Sequence, residues 1–162
     1  MNSDKEYFDG ITTLVGRLHV VVGKKGVRAL LFSGERYHGG LMRAPRNPLI
    51  LRAKKELKEY FAGKRKKFTL PLDPEGTPFQ KNCWKVLRAI PYGMTISYSE
   101  QAKRLGSPRA MRAVGEANGA NPIPIIIPCH RVIGKNGALG GYAGGARKKK
   151  LLLALETINT AR

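Results

Sequence analysis

Acidic residues are scarce in this chain. Asp and Glu number 11, against 30 Lys and Arg in 162 residues, which leaves a net charge of +19. Cysteine is scarcer still. Cys83 and Cys129 are the only two, and that excludes a disulfide framework. The histidines His19, His38 and His130 form no C-x-x-C or H-x-x-x-H pairing with them, so no zinc finger and no metal site is expected. No apolar run approaches the roughly 18 to 20 residues of a spanning helix. The start, Met1-Asn2-Ser3-Asp4-Lys5-Glu6, carries acids and no apolar stretch, unlike a signal peptide. The expectation is a soluble, cytoplasmic protein with reduced thiols and no membrane partner. Apolar residues make up 42% of the chain, enough for a core, which excludes disorder throughout.

So large a positive charge points to a polyanion, and nucleic acid is the first candidate, because each neutralised phosphate releases a counterion. A surface rich in Lys for solubility, or a thermophile's charged surface, is the alternative; both usually bring Glu as well. The segment Leu72-Asp73-Pro74-Glu75-Gly76-Thr77-Pro78 reads as a linker and divides the chain into 1–77 and 78–162. The first part carries 16 basic and 8 acidic residues, the second 14 and 3. A bound polyanion is therefore expected on the second part.

The first part reads as α+β. Leu14 to Val22 and Val27 to Phe32 flank Gly23-Lys24-Lys25-Gly26 and predict a hairpin. Asn47-Pro48 opens a helix, Ile50, Ala53, Leu57, Tyr60 and Phe61 fall at helical spacing, and Gly63 closes it. Lys67 to Leu72 could add a strand. His19 reads as structural, and His38-Gly39-Gly40 as a loop.

The second part reads as largely helical. Pro78 to Ile90 carries Phe79, Cys83, Val86, Leu87 and Ile90 on one face, which makes Cys83 a core residue. Ser97 and Glu100 match a capping box, and the short helix they open ends at Gly106. Ser107-Pro108 is expected to cap a second helix to about Asn118. Ala110, Ala113, Val114 and Ala117 give it an apolar face, while Arg109 and Arg112 lie together elsewhere. Helix, glycine turn, helix is the helix-turn-helix pattern, although any pair of amphipathic helices looks similar. Small residues, Ala110, Ala113, Gly115 and Ala117, keep this helix thin enough for a close approach. A last helix is expected from about Ala146 to Ile158, with an apolar stripe of Leu151, Leu155 and Ile158 widened by Leu152. Glu156 beside that stripe either has a partner or faces solvent.

The reactive segment is Asn121-Pro122-Ile123-Pro124-Ile125-Ile126-Ile127-Pro128-Cys129-His130-Arg131-Val132. The isoleucine run predicts a short buried strand, ended by Pro128. A thiol followed by His and Arg lies in a positive field that favours thiolate, the nucleophilic form. Gly134 to Gly145 form a glycine-rich loop around Tyr142 that is no P-loop, since no Gly-Lys-Ser/Thr follows. Chemistry alone leaves two readings of Cys129, nucleophile or buried structural residue.

Pro128-Cys129-His130-Arg131-Val132 resembles the active-site signature of the O6-alkylguanine-DNA alkyltransferases. The resemblance extends through Phe79-Gln80, Trp84, Ile90-Pro91-Tyr92-Gly93, Thr95, Ser97-Tyr98, Arg112-Ala113-Val114-Gly115, Asn121-Pro122 and Gly140-Gly141-Tyr142-Ala143-Gly144-Gly145. It covers about residues 78–158. The first part matches in size and α+β character, without the Cys and His of the zinc site some members carry there.

The resemblance implies an α+β fold: a ribonuclease-H-like N-terminal domain, then a mainly helical, winged helix-turn-helix-like domain. It implies a monomer without cofactor that moves an alkyl group from guanine O6 in double-stranded DNA to its own cysteine, once per molecule. O4-alkylthymine is a further possible substrate. The damaged base must leave the stack to be reached, and a thin helix suits the minor groove. By the same resemblance Cys129 is the acceptor, His130 its base through a water, and Glu156 orients and charges that His. Asn121 holds the turn, and Tyr98 donates to the base. Arg112 is the inserted side chain, with Ser107, Arg109, Ala110, Ala113, Gly115 and Arg131 on the DNA side. Tyr98, Pro124, Val132, Tyr142 and Ala143 line the pocket, where some members have Ser at the position of Ala143. The rival readings are a relative that flags damage without an acceptor cysteine, a cysteine hydrolase, and a plain winged-helix module.

Overall fold

A computed structural model describes residues 5–161; the residues before Lys5, on which the N-terminal reading rests in part, lie outside it. The chain divides into two compact units, Met1–Glu75 and Gly76–Arg162.

The first unit is a four-stranded sheet carrying one helix. Strands β1 (Glu6–Thr13), β2 (Gly16–Val22), β3 (Val27–Phe32) and β4 (Leu41–Arg43) lie in the order β3-β2-β1-β4. The β2–β3 hairpin forms where the Gly23–Gly26 turn predicts it. β1 was not legible as a strand, and Leu14 belongs to the exposed turn after it rather than to β2. Lys67 to Leu72 does not form a strand; Leu72 makes a single bridge to Val27. Helix α1 (Pro48–Phe61) begins at Asn47, whose side chain accepts from the Leu49 and Ile50 amides. It packs Ile50, Ala53, Leu57 and Tyr60 into the core.

The second unit is helical. Helix α2 (Pro78–Arg88) starts with a full capping box between Thr77 and Gln80. Cys83, Trp84 and Leu87 form its buried face, while Phe79 turns outward. β5 (Ile96–Ser97) runs into α3 (Tyr98–Arg104), and α4 (Met111–Gly119) follows. Ser97 caps α3 as expected, but Glu100 does not return the bond. It pairs with Arg104 at 3.1 Å. Ser107 does not cap α4 either. The chain makes one turn from Ser107 to Ala110, and the helix begins at Met111.

The isoleucine run is a turn, not a strand. Ile125 has φ +74°, a left-handed conformation that costs a β-branched residue strain. This folds the backbone so that the Ile127 amide donates to the Ile123 carbonyl at 2.9 Å. A tight 3-10 turn (Cys129–Arg131) follows, then β6 (Val132–Ile133) and the last helix, α5 (Ala146–Thr160). No described helix is long and apolar enough to cross a membrane.

Candidate active site

Three devices bring the site together. The first is the short parallel pairing of β5 with β6, Ile96 to Val132 and Ser97 to Ile133, which sets Tyr98 beside the Cys129 turn. The second is the reactive turn itself. Asn121 donates from Nδ2 to the Ile127 carbonyl at 2.8 Å and accepts from the Ile123 amide at 2.9 Å. Its side chain also lowers the Cys129 thiol pKa, against the effect of burial. The Cys129 amide donates to the same Ile127 carbonyl, again at 2.8 Å, so the thiol-bearing residue is tied down on both sides.

The third device is α5, which packs against the Cys129 turn. Glu156 is buried there and accepts at both oxygens. His130 Nε2 lies 2.6 Å from Oε2, Arg131 Nε 2.8 Å from Oε1, and the Gly93 amide 3.1 Å from Oε1. Arg131 also donates to the Ile90 carbonyl at 2.7 Å. A carboxylate acceptor requires the proton on Nε2, which leaves a lone pair on His130 Nδ1. Nδ1 is buried and has no hydrogen-bond partner among the described residues.

This geometry corrects several expectations. Arg131 is buried and engaged by Glu156, so it does not face DNA. The charges next to Cys129 in sequence are directed at Glu156 and do not supply the field expected at the sulfur. Burial pushes the Cys129 thiol up to about 11, against the Asn121 hydrogen bond and the positive charge of Lys149. Burial also pushes His130 down, against the pull of Glu156, so its imidazole is neutral rather than charged by that carboxylate. Burial works against the Glu156 charge too, but hydrogen bonds from His130 and Arg131 outweigh it and hold its pKa at about 2. The buried residues of α5 are Lys149, Leu152 and Glu156; Leu151 and Leu155 are half-buried, and Ile158 is exposed.

The helix-turn-helix is fixed from below. Gln101 of α3 and Asn118 of α4 exchange hydrogen bonds of 2.9 and 2.7 Å, and Trp84 of α2 donates to the Ala117 carbonyl at 2.9 Å. Val114 and Ala117 are buried against this support. Ala113 is not on that apolar face; it is exposed together with Arg109, Met111 and Arg112. The exposed residues of α4 are Met111, Arg112, Ala113, Glu116 and Gly119, with Arg109 exposed just before the helix. Ser107 and Ala110 lie half-exposed in the preceding turn.

Tyr98 links this helix to the reactive turn. Its ring lies under Gly115, where an added Cβ would already touch it at 3.9 Å. Its hydroxyl donates to the Gly140 carbonyl at 3.4 Å, across the glycine-rich loop. Gly141 has φ +80° and would place a Cβ 3.2 Å from that hydroxyl, so this position suits glycine. Pro124, Val132 and Tyr142 are buried, and Ala143 is exposed on the loop. Sequence reasoning missed Lys149, which is 1% exposed although it lies in a run of three lysines. Its position seven residues before Glu156 on one helix was the available signal.

Both parts of the chain match models of one known family. Residues 78–158 match the model of the 6-O-methylguanine DNA methyltransferase DNA-binding domain, and residues 7–74 match that family's ribonuclease-like domain. A methylated-DNA–protein-cysteine methyltransferase of Methanosarcina barkeri is 46% identical over 155 residues, covering 94% of this chain and 98% of that protein. The constitutive enzyme of that name from Bacillus subtilis is 55% identical over 113 residues, 69% of this chain and 68% of its own. Among solved structures, Mycobacterium tuberculosis OGT in complex with DNA has a TM-score of 0.88 at 42% identity, with 94% of each chain covered.

Proposed function

The chain belongs to the 6-O-methylguanine DNA methyltransferase family, and we propose that it repairs DNA by taking the alkyl group of O6-alkylguanine onto Cys129. The observation that carries the assignment of roles is the Cys129–His130–Glu156 arrangement: a buried thiol beside a neutral imidazole whose Nε2 is fixed on a carboxylate at 2.6 Å.

The reaction is a displacement at carbon. The Cys129 sulfur loses its proton to His130 Nδ1 through a water and attacks the alkyl carbon. The carbon–sulfur bond forms as the carbon–O6 bond breaks, and the electron pair of that bond leaves with guanine. Tyr98 donates towards N3 and helps the departing base take up a proton. Tyr98 regains its proton from solvent and His130 gives up the thiol's proton to solvent, so the net change is one proton lost by the thiol and one gained by guanine, with no co-reactant needed. A thioether has no labile bond to water, and each chain reacts once. The raised thiol pKa makes the relay necessary, because the buried sulfur is protonated at neutral pH.

Access requires the base to leave the helix stack. The exposed face of α4, with Ala113 small enough for close approach, enters the minor groove, and Arg112 fills the space left by the base. Arg109 and the Ser107–Ala110 turn contact phosphates alongside. The acceptor must remain a thiol, so the reaction belongs in the reducing cytoplasm.

Stoichiometry tests the reading. A duplex with labelled O6-methylguanine should give one methyl per chain and then stop. Continued turnover would indicate a cysteine hydrolase, and binding without transfer a plain DNA-binding module.

A further inference from the structure

Lys149 has no part in the chemistry described so far, and its position needs a reason. It is buried on the inner face of α5, one turn before Leu152 and two before Glu156. Burying an ammonium group without an acid is costly. Glu156, the acid on the same buried face, is already engaged by His130 and Arg131. The partners of Lys149 are weak ones. Nζ donates to the Gly140 carbonyl at 3.4 Å and lies 6.0 Å from the centroid of the Tyr98 ring. The groups around it are the Cys129 thiol and His130 on the reactive turn, the Tyr98 phenol on α3 and the Gly140 carbonyl, with Arg131 and Glu156 behind.

We propose that Lys149 is the counter-charge of the Cys129 thiolate, a positioning residue whose ammonium group, held by the Gly140 carbonyl and the face of Tyr98, stabilises the sulfur anion while the alkyl group is transferred. This rests on Cys129 being the acceptor. The two sequence neighbours of the thiol cannot take the role. His130 is neutral, and Arg131 is neutralised by Glu156. Burial disfavours both charges, pushing Lys149 down and Cys129 up, and against it the two act on one another electrostatically, each favouring the charge of the other. The relay through His130 removes the proton; Lys149 makes the resulting anion tolerable in a buried site. The same carbonyl accepts from Tyr98, so Lys149 still anchors the loop when Tyr98 turns to the base.

The test follows the thiol itself. In a Cys83→Ser background, iodoacetamide alkylation of Cys129 is measured against pH in the full chain, for Lys149→Met, Lys149→Arg and the parent, beside alkyl transfer from O6-methylguanine duplex. Lys149→Met should shift the alkylation profile up by about one pH unit, a roughly tenfold slower reaction at any pH below the thiol midpoint. Lys149→Arg, which keeps the charge, should restore most of the rate. Alkyl transfer should follow the same order. If Lys149→Met does not fold, as judged by thermal unfolding, Lys149→Gln is read in the same way. Superimposable profiles, or an Arg variant shifted as far as the Met variant, would overturn the proposal, and so would a lower melting temperature with an unmoved profile. Failure of the acceptor assignment is separately visible: the parent's methyl label would then be found away from Cys129.

Discussion

His130 and Glu156 stand 26 residues apart in the sequence and 2.6 Å apart in the fold, Nε2 to Oε2, with both side chains buried. The pair ties the reactive turn to the last helix and sets the tautomer of the imidazole. Glu156→Gln keeps the shape and removes the charge. It should slow alkyl transfer at neutral pH, with partial recovery at higher pH where the thiolate forms unaided. It should also destabilise the second unit by about 3–5 kcal/mol, because Arg131 is left as a buried cation without its acid. Rate–pH profiles and urea unfolding of the variant and the parent check both statements.

The same carboxylate governs stability in acid. Its folded pKa is about 2, below the ordinary 4.5. The stabilisation is therefore present above the ordinary carboxylate range and lost as pH falls towards 2. His130 is pushed below its ordinary 6.5, so the unfolded chain binds that proton more readily and stability begins to fall below about that pH. Urea titrations from pH 7 to pH 2 should show both declines. The difference between parent and Glu156→Gln should shrink through the lower one; a constant difference would contradict the ion-pair account.

Arg112 is exposed on α4. Arg112→Ala should slow repair of duplex DNA by the equivalent of about 1–3 kcal/mol, the scale of unstacking a base. Reaction with free O6-benzylguanine, which needs no flipping, should be nearly unchanged. Parallel single-turnover assays on the two substrates decide it, and equal slowing would give Arg112 a role in the pocket instead.

Cys83 is fully buried in α2, and burial raises its thiol pKa. Cys83→Ser should leave alkyl transfer intact and cost about 1–3 kcal/mol of stability, since a hydroxyl enters an apolar site. Unfolding midpoints together with methyl incorporation are the check.

Local signals were legible where one residue type decides the backbone. Asn47, Ser97 and Gly106 marked helix ends correctly, and the glycine turn marked the β2–β3 hairpin. The residues around Cys129 left two readings of the thiol open, and the positive field expected from them is directed at Glu156 instead. Signals that depend on phase or on distant partners failed. Leu151, Leu155 and Ile158 form a plausible stripe, yet the buried face passes through Lys149 and Glu156, because those two meet the groups of the reactive turn. The Ile125–Ile127 run has strand composition, but flanking prolines and the Asn121 side chain bend it into a turn, with Ile125 at positive φ. Arg131 was expected on the DNA side with the other residues of the resemblance, but it is buried. Its carboxylate lies 25 residues away, on another element.

The most direct measurement is the location of the methyl group. The protein is incubated with a duplex carrying labelled O6-methylguanine, digested, and its peptides are mapped by mass spectrometry, with Cys129→Ala alongside. The account predicts one methyl on Cys129 in the parent, and in the variant undiminished DNA binding with no label. Label on Cys83, or transfer surviving in Cys129→Ala, would contradict it.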